Sequence, residues 1–226
     1  QYDGAENHFL GLMTLHNVDL PVNEARHDLI EIGSVVTACF LMDRKRWGDR
    51  DPFDETFFFN YEDHDFGLRT RILGHQILSV PPACCFHREG TEGLSRREGG
   101  AYSRIRIYCL IRNRWQLVLK NYALRTLFIL SPVLFTYEVF QFAGVLKKKW
   151  YCEWFKALFW IAAHLPGILK KRKIVQRARR TPDREILHAG VIPFTADFAK
   201  TSVERRGKQV LDHLTSAYWK QMGRYI

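Results

Sequence analysis

The stretch from Pro52 to Gly74, PFDETFFFNYEDHDFGLRTRILG, sets five carboxylates within an unusually aromatic run. Phe57, Phe58, Phe59 and Tyr61 direct this backbone into a core, and Glu62, Asp63 and Asp65 go with it. Carboxylates at the mouth of a core have to be paired, metal-bound or used in chemistry. Any fold for the chain must provide one of these three outcomes.

The local pattern predicts how the acids are presented. Thr56 to Asn60 reads as a strand leading in, and Asp54 as a cap for the next element. From Asp65 the period becomes helical, with Phe66, Leu68 or Arg69, Ile72 and Leu73 recurring at three and four and Gly74 as a stop. Asp63 and Asp65 then lie at a helix N-terminus, where backbone N–H groups and the dipole favour ionised carboxylates. Asp63 is expected to be an anion at neutral pH, available as a base or as a ligand.

The flanking segments supply a mixed α/β pattern. Residues 1 to 30 read as loop with one short strand around Phe9 to Leu15, and His8, His16 and His27 as surface residues. Ile32 to Met42 is an apolar, β-branched run that predicts a buried strand. Gln76 to Val80 and Ala83 to Phe86 predict two short strands, the second ending at His87, and Arg88 to Ala101, with four glycines, predicts a mobile loop. From Tyr102 onward the pattern is helical, with an interruption expected at Pro132 and with Asn113, Lys120, Ser131 and Glu138 on one narrow polar side. A final helix is predicted from about Val203 to Trp219.

Charge is concentrated in one place. Residues 147 to 180 carry eleven Lys and Arg against Glu153 alone, so the whole net charge of +10 resides there. These cations flank Trp150, Trp154, Phe155, Phe159 and Trp160, a mixture that suits an anionic lipid surface better than nucleic acid. The apolar stretch 126–146 is long enough to span a bilayer, but Pro132, Glu138 and the placing of Lys147 to Lys149 favour helices lying in the interface. Five cysteines without C-x-x-C spacing suggest neither a disulfide framework nor a zinc site, and fit a reducing compartment. The chain opens on Gln1 with no signal-peptide pattern, as a piece of a longer protein would.

Taken in order, these residues resemble the second half of a bacterial family 2 glycosyltransferase of the GT-A fold, in the rhamnosyltransferase-like branch. The resemblance rests on VVTACFLMDRKRW, FDE at 53–55, EDHD at 62–65, Leu68-Arg69, Gly74, His87, the glycine and serine loop, and Tyr108 with Arg112-Asn113, and it covers roughly residues 30 to 180. It implies an inverting transfer from a nucleotide-sugar donor to a hydroxyl of a glycan or lipid-linked acceptor in cell-surface polysaccharide synthesis, at the cytoplasmic face of the membrane. Asp63 matches the catalytic base and Glu62 its neighbour; Asp65 matches the second aspartate, with a structural role through the helix start or Arg69. His87 matches a histidine that ligates a divalent metal, Mn²⁺ or Mg²⁺. Arg96, Arg97 and Arg104 are candidates for the diphosphate, and Trp47 for stacking on the acceptor sugar.

The resemblance also implies a division of the chain: residues 1–104 as the acceptor-side half of an α/β GT-A domain, 105–180 as amphipathic membrane-associated helices, and 181–226 as a polar tail with a docking helix. Family members carry an Asp-x-Asp at the end of a buried strand in an N-terminal nucleotide-binding half. Only 62 residues precede Asp63, and Asp49-Arg50-Asp51 falls in a polar turn, so that half is expected to be missing and the fragment inactive alone. Two other readings stand beside this one. They are a non-catalytic membrane-surface module whose acids form a structural ion-pair network, and a metal-dependent hydrolase site.

Overall fold

The computed structural model describes residues 4–18, 20, 21, 24, 28–85, 103–193 and 201–226. The architecture is mixed α/β and predominantly helical, with two small sheets. Strand β1 (Ala5–His8) turns through Gly11 into β2 (Leu12–Leu15), pairing antiparallel with Ala5 opposite Leu15. Gly11 is required there twice over. Its φ is +73°, and a Cβ on it would come within 2.5 Å of Val118 Cγ2. On its other edge β1 pairs in parallel with β5 (Leu187–His188), which joins the far end of the chain to its beginning. A separate ribbon of β3 (Ile30–Glu31) and β4 (Leu78–Ser79) flanks the acidic segment.

Helices form the bulk: α1 (Arg44–Trp47), α2 (Glu62–Ile72), α3 (Arg104–Asn121), α4 (Leu124–Lys147), α5 (Tyr151–Ala178) and α6 (Ser202–Met222). The main core brings Phe9 and Leu10 from the hairpin turn, Phe57, Leu68 and Ile72 from the acidic segment, Leu117 and Val118 from α3, Leu130 and Leu134 from α4, and Leu211 from α6 into one cluster. Each such side chain contributes about 1.5–3 kcal/mol by leaving water. Helix α6 begins in a capping box, Thr201 with Glu204, and its Trp219 stacks on Phe9 at 4.8 Å. The tail is therefore packed against the N-terminal hairpin.

Several expectations are corrected. Ile32 to Met42 does not form a strand: only Ile30–Glu31 is extended in a ladder, Ser34 bridges Ala5, and Leu41 is fully exposed. The apolar run instead wraps α2, where Gly67 lets Ser34 approach so closely that a Cβ would lie 2.2 Å from its hydroxyl. Thr56 to Asn60 is not a strand either, but a 3₁₀ turn (Glu55–Phe57) followed by a tight reversal. Ala83 to Cys85 is turn and coil, and Phe86 lies outside the described residues.

The helix break also moves. Pro132 lies inside α4 without ending it, because the carbonyl of Phe128, which a proline cannot serve, accepts instead from the Ser131 hydroxyl at 2.8 Å. The interruption falls at Tyr122–Ala123, where the backbone is extended and the Ala123 N–H donates to Asp183 Oδ2 at 2.7 Å. His8, expected at the surface, is buried, stacked on Phe9 and placed 3.2 Å from the Gly190 carbonyl. Burial lowers its pKa to about 4. His16 does reach the surface, beside Glu6, and His27 lies outside the described residues.

Candidate functional site

Three main-chain reversals deliver the acids to the N-terminus of α2. Phe58, Asn60 and Tyr61 all have positive φ, at 61°, 60° and 73°. Phe58 lies at the centre of a γ-turn, its ψ near −55°, across which the Phe59 N–H donates to the Phe57 carbonyl at 2.7 Å. None of the three is glycine, so each costs about 1–3 kcal/mol and needs surroundings that enforce it.

Helix α3 provides that enforcement. Asn113 Nδ2 lies 2.7–2.8 Å from the carbonyls of Phe57, Phe59 and Asn60, and the Arg112 guanidinium donates to Thr56 and Phe57 at 3.1 and 2.6 Å. Arg112 is in turn stacked between Tyr108 and Trp160. Gln116 Nε2 reaches the Thr56 hydroxyl at 2.6 Å. Residues 112, 113, 116 and 120 share one face of α3, so a single polar side of that helix holds both the turn and the acids beneath it.

Below the turn lies an ion network. Asp65 is fully buried; Arg69 Nε at 2.8 Å, Lys120 Nζ at 2.8 Å and Asn121 Nδ2 at 2.8 Å satisfy it. Lys120 also meets Asp54 at 2.7 Å, and Lys171 of α5 meets Asp54 at 2.6 Å. Burial alone would raise both carboxyls, but Lys120, with Arg69 at Asp65 and Lys171 at Asp54, holds them below the ordinary carboxylate range. Arg69 is shared further, donating to the carbonyls of Asp51 and Pro52.

Asp63 stands apart from this network. It is partly exposed, its Oδ1 accepts the His64 N–H at 2.7 Å, and it has no ion pair among the described residues. Burial first, and the neighbouring Glu62 second, raise its pKa to about 6 against the pull of the helix-start N–H groups. The sequence-based expectation of an anion held by the helix terminus is thus modified: Asp63 remains mostly ionised at neutral pH but is poised close to its titration. Glu62 Oε2 is buried without a hydrogen-bond partner, and so are both ring nitrogens of His64, whose pKa burial lowers to about 4. A neutral imidazole and two unpaired carboxylates therefore share the start of α2.

The remaining candidates separate. Trp47 is buried rather than open to a sugar: it packs on Phe66 at 5.0 Å in a cluster with Leu73, its Nε1 donates to the Arg50 carbonyl at 2.8 Å, and Arg69 covers its face. Arg104, the first residue of α3, is largely exposed and pairs with Glu153 at 2.9 Å. His87, Arg96 and Arg97 lie outside the described residues. Asp49-Arg50-Asp51 follows α1 in an exposed bend. No group of three metal-ligating side chains occurs among the described residues, so the acids at hand do not by themselves form a site for Mn²⁺ or Mg²⁺.

Sequence reasoning missed the weight of α3. Asn113 and Lys120 were visible as a polar stripe on an apolar helix, but their partners lie more than fifty residues away and carry no local signal. Arg114 was missed altogether. It is buried, donates to the Leu10 carbonyl at 2.8 Å and pairs with Glu138, joining the hairpin to α4. Comparison of the chain with protein-family models, with curated proteins and with solved structures returned no match.

Proposed function

We propose that the chain is the acceptor-side part of an inverting glycosyltransferase with the GT-A arrangement, in which Asp63 is the general base. The observation that carries this reading is the contrast within one acidic cluster: Asp54 and Asp65 are held by cations, whereas Asp63 has no ion pair among the described residues, is raised to about 6, and is held on a strained turn that α3 over-determines. In the proposed step the acceptor hydroxyl gives its proton to the Asp63 carboxylate as its oxygen forms the new bond to the anomeric carbon. The bond from that carbon to the nucleotide diphosphate breaks, and the electron pair leaves with the diphosphate. Glu62 keeps Asp63 basic through like-charge repulsion. Asp65, Lys120 and Arg69 act as the rigid floor beneath it. The donor's nucleotide pocket and any Mn²⁺ or Mg²⁺ site belong to residues outside this cluster.

The test is Asp63→Asn in the longest natural protein that contains this chain, assayed for sugar transfer from nucleotide-sugar donors to glycan and lipid-linked acceptors. Transfer should fall by about 10²–10⁴-fold, the usual scale for a general base. Undiminished transfer would sink the proposal.

Exposed side chains favour a second reading, which can hold alongside the first: association with an anionic membrane surface at its cytoplasmic face. Helix α4 is long and apolar enough to cross a bilayer, and it leaves Phe128 and Phe135 open, while α5 leaves Phe155 and Phe159 open on the helix that also carries the basic run. Buried Leu130, Val133, Leu134 and Tyr137, and the Arg114–Glu138 pair, tie α4 to the rest of the chain, which favours lying in the interface over spanning it. Flotation with anionic liposomes at low and high salt decides the matter. Absence of binding under both conditions removes the membrane reading and leaves Asp63 untouched.

A further inference from the structure

A concentration of arginine side chains lies at the opposite end of α2 from Asp63. Ten residues of helix, about 15 Å, separate the two. There a cavity of about 250 Å³ is lined by Arg46, Arg50, His75, Arg177, Arg179 and Arg180. These come from three separate stretches of chain: the end of α1 and the bend after it, the exit of α2, and the last turn of α5 with the residues beyond. Among the described residues two carboxylates answer five guanidiniums, Asp183 on Arg179 at 2.5 Å and the exposed Asp43 on Arg46 at 3.4 Å. Arg50 spends one N–H on the Trp47 carbonyl at 2.7 Å, which fixes its stem and leaves the rest of the fork available.

The frame around these cations is rigid. The N–H groups of Arg180 and Thr181 both donate to the Ile72 carbonyl, at 2.9 and 3.2 Å, clamping the exit of α5 onto the exit of α2. Gly74, at φ +79°, lies against the Arg180 and Thr181 side chains. Cations at a helix C-terminus complement its dipole, which accounts for Arg177 and its neighbours but not for Arg46 and Arg50, delivered from elsewhere. Like charges brought together on a clamped frame repel one another, and an anion between them removes that cost. His75 reflects the same field: burial, then Arg180, Arg46 and Arg50, hold its pKa below the ordinary value.

We infer that this cavity binds a phosphate or diphosphate group. Planar guanidinium forks converging from several directions match the tetrahedral oxygens of a phosphoryl group, which accepts two or more bidentate contacts at once. Arg177 also borders an open groove beside Leu124 and Leu169, so a phosphate carried on a lipid can place its chain there. The chemistry is shared by two sources, a lipid headgroup and a free diphosphate. The site is independent of the Asp63 reading.

Calorimetry on the full chain with inorganic pyrophosphate should show saturable binding of one anion. The double variant Arg50→Gln/Arg180→Gln should weaken it at least about tenfold, as loss of two charge-assisted forks requires. Both side chains are exposed, and circular dichroism of the variant should match the parent. The control Arg184→Gln/Lys220→Gln removes the same charge elsewhere and should change binding less than about twofold. Flotation separates the sources. Preference for phosphatidic acid over phosphatidylserine vesicles of equal charge, lost in Arg50→Gln/Arg180→Gln, identifies a lipid phosphate; pyrophosphate binding without that preference identifies a free anion. Absence of pyrophosphate binding, or equal losses in the two double variants, overturns the site. Asp63→Asn should leave all of these readings unchanged, so failure here and failure of the glycosyltransferase proposal are distinct outcomes.

Discussion

Asp63 and Asp65 are two residues apart on the same helix start, yet their surroundings drive them in opposite directions. Asp65 points inward to Lys120, Arg69 and Asn121 and is held ionised; Asp63, partly exposed, has only backbone N–H groups and a like-charged neighbour, and is raised to about 6. The dipole of α2 acts on both, so it cannot be what separates them. Side-chain cations from α2 and α3 decide the matter. A carboxylate locked in an ion network and one left without a cation can therefore be neighbours in sequence, provided that another element supplies counter-charge to only one of them.

The most severe way to break this contrast is Lys120→Met. It leaves Asp54 and Asp65 facing each other without their shared ammonium, and removal of one partner from a buried ion network costs about 3–5 kcal/mol. Urea denaturation at pH 7 measures the loss. Its pH dependence is a second check: Asp65 has a folded-state pKa below its ordinary 3.8, so its contribution is complete above that value and disappears as the pH falls further. Parent and variant should converge in stability as the pH is lowered through that range.

Asn113→Ala attacks the turn rather than the floor. The carbonyls of Phe59 and Asn60 lose the Asn113 amide, that of Phe57 keeps Arg112, and the left-handed residues lose a brace, for an expected cost of about 2 kcal/mol with the ion network intact. Crystallographic or NMR evidence of Phe58 and Asn60 relaxing to negative φ, while Asp65 keeps its partners, would show that turn and floor are separable.

Asp63→Asn should act in the opposite sense on stability. Because the folded-state pKa is raised, the folded protein becomes less stable as the pH climbs from 3.8 to 6 and carries the full cost above that. The variant should be more stable than the parent by about 1–2 kcal/mol at pH 7, with the gain absent at pH 3. The smallest effect is expected from Glu62→Gln, which removes the second cause of the raised value and should lower the Asp63 titration, readable from carboxyl ¹³C shifts.

What the sequence made legible was helical and local. The run from Phe66 to Gly74, the C-terminal helix and the commitment of the acids to a helix start all follow from periodicity and punctuation over a few residues. What it hid was set by distant partners. Thr56 to Asn60 has strand composition, but Asn113 and Arg112 capture its carbonyls before any neighbouring strand can. Ile32 to Met42 has the apolarity of a central strand, but among the described residues no long strand lies beside it, and its residues cover α2 instead. Pro132 was expected to end a helix, and the hydroxyl of the residue before it compensates for the missing N–H. Trp47 looked available because it adjoins acids in sequence, whereas its ring is spent on Phe66.

Helix α5 carries Lys171 at the acidic floor and Phe159 on its open side. The twelve helical steps between them, which include Pro166, make a strut of about 18 Å. A strut of fixed length acts as a gauge. If the phenyl rings rest on a surface as proposed, Asp63 is set at one height above it, because the floor that Lys171 grips is the same floor that orients the start of α2. On the proposed transferase reading, selection among acceptors would then depend on reach as well as on contacts, with a hydroxyl carried too close to that surface, or too far from it, never meeting the carboxylate.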